Sequence, residues 1–65
     1  MINENALHFK AAISLLESRI AEHKEKIRVE LEKEFPDADL INHWEKEIRA
    51  FEQGIKQALK RLGKN

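Results

Sequence analysis

The chain has 65 residues, of which 42% are hydrophobic and 37% are charged, with two glycines, one proline and no cysteine. This length suits one small domain at most, the composition argues against disorder, and the lack of cysteine excludes disulfides and thiolate metal sites. Twelve basic residues balance twelve acidic ones, so no net charge attracts nucleic acid or an anionic membrane. Because neither a signal-peptide pattern nor a long apolar run occurs, we expect a cytoplasmic protein without a membrane segment.

The first predicted element is a long helix over residues 4–34. This stretch contains no glycine or proline and is rich in alanine, leucine, glutamate, lysine and arginine, which lose little conformational freedom in a helix. Its apolar residues recur in alternating steps of four and three, which is typical of a helix with one coiled-coil-like stripe. The stripe consists of Ile2, Ala6, Phe9, Ile13, Leu16 and Ile20 and continues through His23 to Ile27.

A turn over residues 35–38 and a second helix over residues 39–62 follow. Pro36 disfavours helical backbone at the residue before it, and Asp37 or Asp39 can cap the next helix. A glycine just beyond the predicted end favours termination there. The apolar stripe of this second helix has no polar interruption and runs through Ile41, Trp44, Ile48, Phe51, Ile55, Ala58 and Leu62.

The short connection predicts an all-α antiparallel two-helix hairpin, because helices joined by so few residues normally pack side by side. In the alignment set by the two apolar stripes, Lys26 approaches Glu47 and Lys24 approaches Glu52. Both predicted contacts are attractive, although exposed pairs of this kind add little stability.

Two features near the predicted interface have alternative interpretations. Trp44 and Phe35 lie close to the turn and are interpreted as core residues, with an aromatic recognition site as the alternative. Gly54 would let another helix approach closely, with Arg19 as its nearest predicted neighbour across the hairpin. A glycine that is merely tolerated is the alternative there.

Two helices of this size are predicted to need a further partner. The chain carries twenty large apolar side chains, and each helix of a hairpin covers only one side of the other. We therefore expect a homodimer that assembles as a four-helix bundle. The predicted association surface consists of apolar residues beside the stripes or beyond the open end of the hairpin: Ile2, Leu7, Leu15, Leu40 and Leu59.

His23 stands out because it occupies an apolar position of the first stripe and is predicted to face Ile48 and Phe51. We interpret it as a polar residue that fixes the register, satisfied by a carboxylate such as Glu30, by the opposite helix or by the second subunit. The alternative is a pH sensor, since adding a proton to a ring in an apolar layer is expected to be costly.

Candidates for metal or catalytic chemistry are weak. His8, His23 and His43 are available as ligands, but none follows a glutamate by three positions, the spacing of di-metal helical bundles. Ser14 and Ser18 lie within the first predicted helix without a positioned base, and the chain has no glycine-rich phosphate loop. We expect no enzyme activity and no cofactor.

The remaining candidates are basic residues near the C-terminus that are able to contact phosphates: Lys56, Lys60, Arg61 and Lys64. We interpret them as complementing the negative end of the second helix. The sequence therefore predicts a small non-enzymatic protein–protein interaction or oligomerisation module. A nucleic-acid-associated regulator that uses this basic cluster and a metal-binding helical bundle are the alternatives.

Overall fold

The computed structural model describes residues 4–63, with side chains from residue 8 onward. It contains two helices, α1 over Glu4–Leu31 and α2 over Ala38–Arg61, which pack against each other as a hairpin. The described residues contain no strand. The predicted all-helical hairpin is therefore confirmed.

The end of α1 differs from the sequence prediction, because the helix stops at Leu31 instead of continuing to residue 34. Just beyond it, the N–H groups of Glu32 and Lys33 each donate at 3.1 Å to the carbonyl three residues earlier. Such bonds tighten the last turn of a helix and end it. Phe35 is 83% exposed and is therefore not the core residue that the sequence suggested.

The start of α2 is fixed by Asp37, which has extended backbone and is the N-cap residue. Its Oδ1 accepts a hydrogen bond of 3.1 Å from the N–H of Leu40. Its own N–H donates to Oε2 of Glu30 at 3.0 Å, which ties the start of α2 to the last turn of α1. An N-cap of this type satisfies one of the free N–H groups at the start of a helix.

Two contacts set the register between the helices. The ring of His23 meets that of Phe51 in a T-shaped arrangement with centroids 5.2 Å apart. A Cβ atom added at Gly54 would lie 3.1 Å from Cδ1 of Leu16. The close neighbour of Gly54 is therefore Leu16, where the sequence alignment had suggested Arg19.

The hairpin is elongated and leaves much of its surface open. It measures 54 × 15 × 13 Å and has a radius of gyration of 15.1 Å, whereas a compact chain of this length has about 11 Å. Its accessible area is 5353 Å², whereas a compact monomer of this mass exposes about 4,300 Å². Among the described side chains, only Ile48 and Ala58 are buried apolar ones.

Candidate interaction surface

Each helix turns one line of residues toward the other. Residues seven positions apart lie on nearly the same side of an α-helix, because two turns span about seven residues. On α1 the line that faces α2 and the turn consists of Leu16, His23 and Glu30. On α2 the residues that meet this line include Glu47, Phe51 and Gly54. We call these residues of the two helices together the contact edge.

Six isoleucines form two further lines, one on each helix. At about 100° per residue, the isoleucine line lies roughly 50° from Leu16 and His23 on α1 and roughly 60° from Phe51 on α2, so it borders the contact edge. Because the helices are antiparallel, these rotations bring both lines to the same side of the hairpin. We call this side the isoleucine face, formed by Ile13, Ile20 and Ile27 of α1 with Ile41, Ile48 and Ile55 of α2.

The isoleucine face is only partly covered within one chain. The register of the contact edge places its residues in three nearly level pairs, with Ile20 and Ile48 in the middle. Ile48 is buried, and the other five isoleucines are half-exposed. Leu31 and Leu59 each follow an isoleucine by four positions, so they extend the face at its two ends, and they are 59% and 38% exposed.

The structure distributes the predicted association residues over different sides. Leu59 lies beside the isoleucine face, as just described, whereas Leu15 is 56% exposed and is turned by more than a right angle from the isoleucine line of α1. Leu40 is half-buried and lies seven residues before Glu47, on the contact edge. Ile2 and the side chain of Leu7 lie outside the described residues.

A hydrogen-bonded cluster surrounds His23 at the middle of the contact edge. Its Nδ1 lies 2.9 Å from the carbonyl oxygen of Arg19, and its Nε2 lies 3.0 Å from Oε1 of Glu47. The same Oε1 lies 3.1 Å from Nε2 of His43. The opposite helix thus supplies the ring's partner, which is one of the alternatives predicted from the sequence. The sequence analysis did not find this contact, although the spacing of seven between Glu47 and Gly54 is a signal that could have placed the carboxylate on the same side of α2 as the close helix approach.

Glu30, the carboxylate first suggested for His23, has different partners. It is only 5% exposed. It accepts hydrogen bonds from Nζ of Lys33 at 2.9 Å and from the N–H of Asp37 at 3.0 Å. Those bonds, with that of Lys33 the stronger, hold the pKa of the Glu30 carboxyl below its usual value. The ionised carboxylate of Glu30 therefore links the end of α1 to the start of α2 through hydrogen bonds.

The charge pairs expected between the helices do not form. Neither Lys26 with Glu47 nor Lys24 with Glu52 comes within ion-pair distance, and Glu47 is engaged by histidines. Side chains that are exposed can choose among several partners, since each such pair contributes little free energy. Ion pairs between residues close in sequence form instead, including those of Arg28 with Glu25 and with Glu32.

The basic candidates are not gathered into one site. Lys56 and Lys60 are four residues apart and share the outward side of α2, whereas Arg61 is turned by about 100° from Lys60. Lys60 and Arg61 line a shallow depression with Gln57. Lys64 lies outside the described residues.

In the described part of the chain, no group of three or more histidine, aspartate or glutamate side chains is arranged to hold a metal ion. Neither of its two helices is long and apolar enough to cross a membrane.

Comparisons with known proteins add no functional information to this geometry. No protein-family model, no curated protein and no solved structure matches the chain.

Proposed function

We propose that this chain is a non-enzymatic protein–protein interaction module that pairs with a second copy through the isoleucine face to form a four-helix bundle. The observation that carries this proposal is that the isoleucine lines of both helices lie on one common side, where Ile48 is buried and the other five isoleucines are half-exposed. An apolar surface of this kind is removed from water most effectively by a matching apolar surface.

The area of the hairpin supports a second copy as the partner. Two separate chains expose far more surface than one compact protein of twice the mass, and closing that difference buries about 3,600 Å² in total. This value falls in the range of obligate homodimers, roughly 2,000–5,000 Å². An interface of that size is available if the long side of each hairpin is covered over much of its 54 Å length.

The arrangement of the isoleucine face also favours self-association. Its three pairs are placed evenly about the central pair Ile20 and Ile48. A two-fold axis through that central pair therefore brings apolar layers of one copy against apolar layers of the other. Two-fold dimers require such a self-complementary surface.

The test compares leucine substitutions on and off the face, with molecular mass measured by sedimentation over a dilution series. Leu31→Glu together with Leu59→Glu places charges at both ends of the isoleucine face, so we expect the dimer to dissociate at micromolar concentration. Leu15→Glu is the matched control, because Leu15 and Leu31 are both leucines of α1 with exposures of 56% and 59%. We expect this control to remain a dimer.

Two outcomes would overturn the proposal. One is a wild-type chain that stays monomeric and fully helical at a concentration of about 100 μM, where an obligate interface should be saturated. The other is dissociation by Leu15→Glu without an effect of the double substitution, which would move the interface to another side. Helical content measured by circular dichroism in the same samples separates dissociation from unfolding.

The nucleic-acid alternative rests on Lys56, Lys60 and Arg61, which the structure does not gather on one side of α2. It makes a distinct prediction, because phosphate contacts weaken steeply as salt increases. Binding to a labelled oligonucleotide at low salt that disappears at physiological salt, and that Lys56→Gln with Lys60→Gln removes, would favour this alternative. No binding at low salt would dismiss it.

A further inference from the structure

The ring of His23 faces a hydrogen-bond acceptor at each nitrogen. Nδ1 points at the carbonyl oxygen of Arg19 over 2.9 Å, and Nε2 points at a carboxylate oxygen of Glu47 over 3.0 Å. A carbonyl oxygen and an ionised carboxylate can only accept hydrogen bonds. Neutral imidazole has one N–H, so it can donate a hydrogen bond to only one of these acceptors, and its second nitrogen turns a lone pair toward the other acceptor. The imidazolium ion has two N–H groups and can donate to both acceptors.

The surroundings of the ring make an unserved acceptor costly. The side chain of His23 is only 10% exposed, and the ring of Phe51 packs against it at a centroid distance of 5.2 Å. Little water can therefore reach the ring nitrogens, whereas the Glu47 side chain is 42% exposed and can also meet water. The protonation state of the ring consequently decides how many of its own two hydrogen bonds it makes within the hairpin.

Charged groups approach the ring from both helices. On α2, Glu47 is the direct partner, and His43 shares its Oε1 at 3.1 Å. On α1, the Arg19 guanidinium is turned toward Glu22 at 3.8 Å, and Lys26 is the next residue along the same side. The charge in direct contact with the ring is the negative one of Glu47.

We propose that His23 forms a pH-dependent link between α1 and α2. When the ring carries two protons, it donates to the carbonyl of Arg19 and to the carboxylate of Glu47 at once. When it loses one proton, one of these two bonds is lost and the helices are held less firmly. The direction of this pH dependence is opposite to the one expected from the sequence, because there the apolar layer was predicted to make protonation of the ring costly.

The direction of the pH dependence follows from the two acceptors. Only the ring with two N–H groups donates to both at once, so the hairpin is held more firmly when the ring is charged. We therefore expect the stability to fall as the pH rises from mildly acidic to mildly basic values.

The test is urea unfolding at one fixed protein concentration between about pH 5.5 and pH 8.5. For the wild type we expect the folding equilibrium constant to fall about tenfold over this range, the size expected for one charge-assisted hydrogen bond. His23→Leu removes the ionisable ring and should abolish that fall. His43→Gln is the matched control, because this second histidine touches the same carboxylate oxygen but is 64% exposed, and it should leave most of the fall intact.

Glu47→Gln gives a sharper check. A glutamine amide can donate to Nε2, so the neutral ring with its proton on Nδ1 then satisfies both neighbours. We expect this variant to lose or reverse the pH dependence. In parallel, nitrogen chemical shifts of the His23 ring near pH 6 should show protons on both nitrogens in the wild type and on one in the variant. A wild-type stability that is flat or rises with pH, or a ring that is neutral near pH 6, would overturn the proposal.

Discussion

Replacing Gly54 with alanine tests how closely the two helices approach each other. Two effects oppose each other at this position. Alanine favours a helix over glycine by about 0.8–1.0 kcal/mol. The new Cβ, however, would lie 3.1 Å from Cδ1 of Leu16, a few tenths of an ångström closer than ordinary contact.

The structure indicates which effect wins. The atom that the new methyl group meets is the far end of a flexible side chain, and Leu16 is half-exposed. It can therefore move outward at low cost, so we expect Gly54→Ala to raise the free energy of unfolding by about 0.5–1 kcal/mol. A larger side chain cannot be accommodated by a movement of Leu16 alone. Gly54→Leu should therefore destabilise the hairpin by about 1–3 kcal/mol through overpacking.

The assay is urea unfolding at a fixed protein concentration, followed by circular dichroism. A double-mutant cycle with Leu16→Ala isolates the contact, because in that background the new methyl group meets no side chain and alanine should give its full helix-propensity gain. If Gly54→Leu is as stable as Gly54→Ala, the helices are not in close contact at this level. The register that is read from the pair of Leu16 and Gly54 would then be wrong.

Four further predictions concern the core, the turn and its ends. Ile48→Asp should unfold the hairpin, as seen by loss of helical circular dichroism, because it places an unpaired charge at a side chain that is 8% exposed. Asp37→Ala should lower the free energy of unfolding by about 1 kcal/mol through loss of the N-cap, while Asp37→Ser should restore most of it. Hydrogen bonds from Lys33 and from the N–H of Asp37 lower the pKa of Glu30, so its ionised form stabilises the fold above about pH 4.3, and this stability is lost as the pH falls further. Glu30→Gln should flatten the acidic part of the dependence of stability on pH, and an unchanged dependence would contradict the stabilising role of the ionised Glu30. Phe35→Ser should change the free energy of unfolding by less than about 0.5 kcal/mol, since the ring is 83% exposed.

The helices and the turn could be predicted because local chemistry determines them. Pro36 disfavours helical backbone at the residue before it. Asp37, one of the two N-cap candidates in the sequence, is the N-cap residue of α2. The end of α1 was less predictable. It stops at Leu31, and the N–H of Asp37 reaches back across the turn to Glu30. That tertiary bond has no local signature in the sequence.

The partners of polar side chains could not be predicted reliably. Glu47 was expected to meet Lys26, yet in the structure its oxygen lies against His23 and His43. Exposed ion pairs differ in free energy by a few tenths of a kcal/mol, so small shifts in register or rotation decide among them. The buried ring of His23 has much more to lose from a missing partner, and its bond to Glu47 is therefore the contact that the fold preserves.

The rotation of the helices about their own axes explains why the hairpin suits association. The sequence alignment placed the two apolar stripes opposite each other, and the structure keeps part of that contact: His23 packs against Phe51 as predicted, and the buried apolar residues Ile48 and Ala58 both belong to the predicted stripe of α2. The contact also extends to Glu47 and Gly54, which meet His23 and Leu16. The isoleucines of both helices border this contact on one common side, and five of the six stay half-exposed there. Removing them further from water would require a second molecule, which the proposed dimer supplies.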